Sequence, residues 1–205
     1  MKYIGIALTI PYLIYLIGVS VAKAVDMPIV NPIVMISAVT GSKYIVNPQV
    51  TLIITLASTA FAGLTINTLF ALGEEIGWRG LLQDELCSLI GFKVTPLVIG
   101  ILWALWHAPL IIMYGYNYPH HRDAVGVVMF IIICSIWSCI LSILKVRSES
   151  MIPPAVTHGT LNAIGGLMLY TIIVRDEIWG LPVGILGVVA STITLIIIYI
   201  IMLKR

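Results

Sequence analysis

The chain has 205 residues, of which 60% are hydrophobic and only 10% are charged. Soluble domains carry roughly a quarter charged residues, so this composition cannot cover a surface that faces water. The net charge of +2 comes from scattered residues, whereas nucleic-acid binding requires basic side chains clustered on one face. These features exclude a soluble domain and a nucleic-acid-binding protein, and they predict an all-α, polytopic bundle of membrane helices.

Apolar segments recur along the chain at lengths that suit membrane helices, about 18 residues or more. The first is longer than the apolar core of a signal peptide, so we expect it to remain as an uncleaved membrane helix. With two ambiguous stretches, the segments predict one membrane domain, residues 1–205, with about six to eight transmembrane helices around a polar cavity. The clear segments are 3–22, 50–72, 94–114, 124–144, 152–174 and 181–203.

Two stretches are ambiguous. Residues 27–41 form a short stretch with Pro28 and Pro32, which indicates a broken, tilted or re-entrant piece. Residues 73–91 carry several charged side chains, and each Asp, Lys or Arg at the centre of a membrane helix costs about 2.5 to 3.5 kcal/mol. This second stretch cannot face lipid, so it lies either at the membrane interface or inside a ring of helices around a wet cavity.

The sequence LGEEIGWRGL places two adjacent glutamates and an arginine in the second of these stretches. On a helix, Glu75 and Arg79 are four residues apart, share a face and stand in the favourable order for an ion pair. Glu74 is rotated by about 100° from Glu75, so its carboxylate is free to point elsewhere. The spacing predicts a structural role for Glu75 and Arg79 and a chemical role for Glu74. A charged turn at the membrane interface is the alternative.

Two later apolar segments carry histidines at helical spacing from an aromatic or a polar residue. His107 lies one turn after Trp103 and two residues before Pro109, whose ring leaves a backbone carbonyl free inside the helix. His158 and Asn162 are four residues apart and share a helix face. Either pair alone fits ordinary packing and hydrogen bonding between membrane helices.

The three constellations together offer chemistry that none offers alone. Ionisable residues inside membrane segments are costly, so they are candidates for a functional site. We predict that Glu74 and His107 polarise a water molecule, while His158 and Asn162 donate hydrogen bonds to the oxyanion of a tetrahedral intermediate. A proton-coupled transporter or channel that uses the same residues as a relay is one alternative. A non-catalytic membrane scaffold or immunity protein is the other.

Other reactive side chains are assigned to structure. Cys87, Cys134 and Cys139 form no CxxC pair and lie in apolar sequence, as buried small hydrophobic residues do. His120 and His121 lie in the sequence YNYPHHRD, whose polar and aromatic residues are typical of a loop at the membrane interface. The motifs GxSxG and HExxH do not occur, so the sequence contains neither of these serine-hydrolase and zinc-protease signatures.

Metal binding is compatible with the residue types alone. Glu74, His107 and His158 suit a zinc site with an open position for water. However, no acidic residue lies one turn from His158 on its own helix to orient the imidazole ring, and Asn162 is a poor zinc ligand. The residues therefore favour a site without a cofactor, with zinc or another divalent metal as the alternative.

Three ordered motifs on successive membrane segments resemble the CPBP family of CAAX proteases and bacteriocin-processing, or Abi, proteins. The similarity covers about half the chain, from Leu69 to Gly166, and departs from the family at residue 103, where phenylalanine is more frequent. The motifs are EExxxR at Glu74, Glu75 and Arg79, an aromatic-xxx-His at Trp103 and His107, and HxxxN at His158 and Asn162.

The resemblance implies a multi-helix intramembrane endopeptidase with its catalytic core at residues 69–166. Its relatives trim prenylated CAAX proteins, or act in peptide processing and bacteriocin self-immunity, and have been described both as metalloproteases and as metal-free glutamate proteases. The expected partners are a peptide or lipidated protein substrate and membrane lipids, and the expected location is the cell membrane. By motif, the catalytic residues are Glu74, His107, His158 and Asn162, supported by Glu75, Arg79 and Trp103.

Overall fold

The structure, a computed structural model, describes residues 2–42 and 47–202. Within these ranges the fold is helical, with one isolated β-bridge and no strand, which confirms the predicted class. A π-helix, Ile76–Leu82, joins two of the α-helices. The helices are α1 (Lys2–Ala24), α2 (Pro32–Thr40), α3 (Pro48–Leu64), α4 (Ile66–Glu75), α5 (Gln83–Ile90), α6 (Thr95–Tyr114), α7 (Ala124–Ser148), α8 (Ile152–Leu169) and α9 (Ile185–Met202).

Four helices, α1, α6, α7 and α9, are long and apolar enough to cross a membrane alone. α3 and the helical run Ile66–Ile90 meet at a bend of 41° and would form a fifth, broken span. This number is smaller than the six to eight predicted, because the segment predicted at 50–72 is interrupted at Thr65 and α8 is not apolar enough. Residue 203, which ends the last predicted segment, lies outside the described residues.

The stretch predicted to be broken or re-entrant, residues 27–41, contains a short helix preceded by an extended loop. Ile29 forms an isolated β-bridge with Ile172 of the loop between α8 and α9. α2 then begins with Asn31, whose side chain accepts a hydrogen bond from the Ile33 N–H, and with proline at the first helical position. An Asn-Pro pair also begins α3, so both starts are visible in the sequence.

Residues 73–90 of the charged stretch are continuous helix, and the face that carries Glu75, Arg79 and Gln83 points into the bundle. Glu75 and Arg79 are 0% exposed and Gln83 is 1% exposed. By contrast, Ile76 is 53% and Leu81 is 66% exposed. For Glu75 and Arg79 this orientation favours the enclosed placement, because they bind each other inside the bundle, whereas Asp84 and Glu85 are exposed.

α8 lies at the centre of the bundle. It packs against α1, α3, α4 and α7, and every residue from Pro153 to Leu161 is buried. A helix surrounded by protein carries polar groups at lower cost than one that faces lipid, because neighbouring helices supply hydrogen-bond partners. Thr157, for example, donates to the backbone carbonyl of Ala7 on α1 at 3.0 Å. The central position therefore explains how α8 accommodates His158.

Close approach of α8 to α4 depends on Gly159. A Cβ atom at this position would lie 2.6 Å from the carbonyl carbon of Asn67 and 2.6 Å from the backbone nitrogen of Thr68. These are backbone atoms, which cannot rotate away as a side chain can. The absence of a side chain at residue 159 thus sets the spacing between α8 and α4.

We predict that Gly159→Ala destabilises the protein by about 1 to 3 kcal/mol, the usual cost of overpacking a tight contact. Gly165→Ala is the matched control, since it lies on the same helix and an added Cβ would meet nothing within 4 Å. The measurement is thermal unfolding of the two purified variants in the same detergent. A Gly159→Ala midpoint equal to that of Gly165→Ala would show that the helices separate without cost.

Candidate functional site

A cavity of about 510 Å³ lies among α4, α6, α7 and α8, and we call it the central cavity. The loops 115–123 and 170–184 also contribute to its wall. The sequence predicts a polar cavity inside the bundle, and the four residues predicted to be catalytic lie on this wall. They are Glu74, His107, His158 and Asn162.

The Glu75 carboxylate connects α4, the π-helix and α8 below the cavity. Its Oε1 accepts a hydrogen bond from Arg79 Nη1 at 3.0 Å, which is the ion pair that the spacing predicts. The same oxygen lies 2.9 Å from Nδ1 of His158. All three side chains are buried. Sequence reasoning missed the contact with His158, because the two residues are 83 positions apart and no periodicity links them.

Glu74 points away from this cluster, as the helical rotation predicts. Its Oε2 accepts a hydrogen bond from Nε1 of Trp103 at 3.1 Å, and its side chain is partly exposed to the central cavity. The Trp103 ring also lies 5.2 Å from Arg79 Cζ and 5.0 Å from the His158 ring. A phenylalanine would retain ring contacts but could not donate to Glu74, so the departure from the family at residue 103 changes how the carboxylate is held.

His107 is oriented by the backbone of its own helix. Its Nδ1 lies 2.9 Å from the carbonyl oxygen of Trp103, and since a carbonyl only accepts, Nδ1 carries the proton. In the neutral ring, Nε2 is then a lone-pair acceptor. Three further aromatic rings, those of Trp106, Phe130 and Tyr116, lie 4.9 to 5.7 Å from the imidazole. No spacing pattern in the sequence singles out Phe130 or Tyr116.

His158 and Asn162 both lie on α8 and contribute polar groups to the wall of the central cavity. The Glu75 carboxylate only accepts hydrogen bonds, so Nδ1 of His158 donates to it. Donation through Nε2 as well then requires the doubly protonated ring. Asn162 lines the cavity and forms no hydrogen bond with a residue in 2–42 or 47–202, so its amide N–H groups are available.

Two loops close over one part of the site through histidine–carboxylate pairs. Nδ1 and the backbone N–H of His120 lie 2.7 Å from the two oxygens of Glu177, which lines the central cavity. His121 Nε2 lies 2.9 Å from Asp176, and this hydrogen bond raises the pKa of His121 and lowers that of Asp176. The two histidines predicted to lie in an interface loop thus join that loop to residues 170–184.

The side chains that line the central cavity include residue types that can bind a metal ion. Among the described residues, no three histidine, cysteine, aspartate or glutamate side chains are placed to share one ion. Glu74, His107 and His158 line one cavity, but they do not form such a group. The sequence argument found no acidic residue on α8 that could orient the His158 ring. The structure supplies one from another helix, because Glu75 of α4 binds Nδ1 of His158.

We expect Glu75→Gln to lower stability by about 3 to 5 kcal/mol, because it leaves Arg79 as a buried charge without its carboxylate. Glu85→Gln is the matched control, since Glu85 is exposed on α5 and has no ion pair within the described part of the chain. Unfolding midpoints of both variants and the wild type in one detergent provide the measurement. Equal midpoints for Glu75→Gln and the control would contradict a desolvated pair.

Comparison with known proteins identifies the family. The family model described as Type II CAAX prenyl endopeptidase Rce1-like matches residues 48–164. A relative from Methanococcus maripaludis, named CAAX prenyl protease 2, is 29% identical over 125 residues, which is 60% of this chain and 45% of the relative. The match therefore spans less than half of that relative's length. No solved structure matches significantly. The chain belongs to the Rce1-like family of type II CAAX prenyl endopeptidases.

Proposed function

We propose that the chain is an intramembrane endopeptidase that hydrolyses a peptide bond of prenylated CAAX-type or other membrane-associated peptide substrates. The observation that carries this proposal is the convergence of Glu74, His107, His158 and Asn162 on one cavity inside a membrane bundle. Membership of the family and the name of the archaeal relative support the reaction class. The residues themselves support the division of roles that follows.

Water activation is assigned to Glu74 and His107. Trp103 holds Glu74 Oε2, so Oε1 remains to accept a proton from a water molecule in the cavity. Nε2 of neutral His107 accepts the second hydrogen bond of that water, because Nδ1 is committed to the backbone. As the water oxygen attacks the scissile carbonyl carbon, its proton passes to Glu74.

Stabilisation of the oxyanion is assigned to His158 and Asn162. The carbonyl oxygen gains negative charge in the tetrahedral intermediate, and preorganised donors lower the energy of that charge. Asn162 supplies an amide N–H, and the imidazolium form of His158 supplies Nε2–H while Nδ1–H remains bound to Glu75. When the C–N bond breaks, protonated Glu74 returns its proton to the leaving amine.

Peptide cleavage provides the test of this function. We expect the purified wild type to cleave a quenched, farnesylated CAAX peptide, and Glu74→Gln to lower turnover by about 10² to 10⁴, because glutamine cannot act as the base. Mass analysis of products and initial rates provide the measurement. Glu85→Gln is the control and should cleave at the wild-type rate. Full activity of folded Glu74→Gln would overturn the mechanism.

We also propose that this reaction does not require a metal ion. The proposal is supported by the side chains of the site, since none of the described residues form a three-ligand group of the kind that binds zinc. Oε2 of Glu74 instead accepts a hydrogen bond from the indole N–H of Trp103.

Metal removal tests the second proposal. We expect activity to survive exhaustive treatment with a zinc-selective chelator, and elemental analysis of the active protein to find zinc far below one equivalent. The control is a sample to which zinc is returned after chelation, which should not gain activity. Near-stoichiometric zinc, with activity lost on chelation and restored by zinc, would make Glu74, His107 and His158 metal ligands.

A further inference from the structure

A second cavity of about 250 Å³ adjoins the central cavity, and we call it the side cavity. Leu169 and Glu177 line both cavities, so these two side chains form a shared wall. The side cavity is otherwise formed by α2, by His120 and by the loop that follows α8. Its polar lining includes Arg175, which does not line the central cavity.

The two cavities differ in charge. Carboxylates of Glu74 and Glu177 line the central cavity. Burial acts to raise the pKa of Glu177, but hydrogen bonds from His120 hold that pKa below its usual value, so this wall is anionic at neutral pH. The side cavity shares Glu177 but not Glu74, and its lining adds the permanent positive charge of Arg175.

The Arg175 guanidinium is available to a ligand. Its two acidic neighbours in sequence are both engaged elsewhere, since Asp176 binds His121 and Glu177 binds His120. Within residues 2–42 and 47–202, Arg175 has neither a salt bridge nor a side-chain hydrogen bond, and it is exposed. Guanidinium groups bind carboxylates in a planar, bidentate geometry. The free group that faces this cavity therefore suits an anionic, planar ligand.

We propose that Arg175 binds the free α-carboxylate of a peptide whose scissile bond lies in the central cavity. This inference rests on the proposed endopeptidase function and names the part of the substrate that the side cavity receives. A carboxylate would be repelled by Glu74 in the central cavity, whereas in the side cavity Arg175 attracts it and offsets the repulsion of Glu177, which lines both cavities. The charge pattern thus sets the direction in which the peptide lies.

Chain dimensions restrict this binding to substrates cut close to their C-terminus. Three residues, fully extended, span at most about 11 Å. Leu169 and Glu177 line both cavities, so the two cavities adjoin, and a short C-terminal segment is the part of the peptide that would extend from the catalytic residues to Arg175. An exposed guanidinium would also bind a lipid phosphate, and the experiment separates these two ligands.

The test uses two quenched, farnesylated CAAX peptides that differ only in ending as a free acid or as a primary amide. We expect the wild type to prefer the acid by about five-fold in kcat/KM through a lower KM, the scale of one exposed ion pair. Arg175→Gln should abolish this preference while leaving cleavage of the amide unchanged, and Arg175→Lys should retain part of it. Arg122→Gln is the matched control, since this exposed arginine lines neither cavity.

The outcomes are distinct from those that test the endopeptidase function. Cleavage of the amide peptide by the wild type and Arg175→Gln establishes that hydrolysis is intact, so a preserved acid preference in Arg175→Gln would overturn only the carboxylate subsite. If Arg175→Gln loses kcat/KM equally with both peptides, Arg175 binds a lipid or has a structural role, and the carboxylate subsite is again overturned. If neither peptide is cleaved, the binding of both peptides to each protein is measured by fluorescence anisotropy. Equal affinity of the wild type and Arg175→Gln for the acid peptide would contradict the carboxylate subsite.

Discussion

The buried Glu75 carboxylate is the interaction on which the rest of the site depends. One oxygen of Glu75 binds both Arg79 and His158. Glu75 lies at the end of α4, Arg79 on the π-helix and His158 on α8. In a medium of low polarity an unpaired charge is costly, so the carboxylate, the guanidinium and the imidazole require one another. The cluster joins the charged helix to the central helix and determines where His158 stands in the cavity.

The adjacent glutamates therefore serve different purposes, and their environments make the difference. Glu75 is fully buried and bound to two cationic or proton-donating groups. Glu74 is partly exposed to the central cavity and accepts one bond, from Trp103. Trp103 contacts both Glu74 and the buried cluster around Glu75. Its N–H donates to Glu74, while its ring packs against Arg79 and His158. This residue couples the supporting cluster to the group proposed to act as base.

A polar site inside a membrane bundle also requires helices that approach closely. Gly159 allows α8 to lie against the backbone at the start of α4. At Gly100 of α6, an added Cβ would lie only 2.4 Å from the Cα of Ser135 on α7. Small residues at such crossings allow dispersion contacts and shield polar groups from lipid. Apolar side chains of the π-helix, such as Ile76 and Leu81, point away from the bundle, whereas Glu75 and Arg79 point into it.

By itself, the sequence determined the helical membrane class, the Glu75–Arg79 pair and the divergence of Glu74, because composition, apolar length and a spacing of four residues are local properties of the chain. Only the tertiary structure decided that α8 is central, that Glu75 reaches His158, and that Phe130, Tyr116 and Glu177 line the site. It also showed the bend at Thr65 that interrupts the segment predicted at 50–72, whereas the low hydropathy that removes α8 from the candidate spans is a property of its composition. These contacts join residues far apart in sequence, and no local periodicity encodes which distant helix faces which.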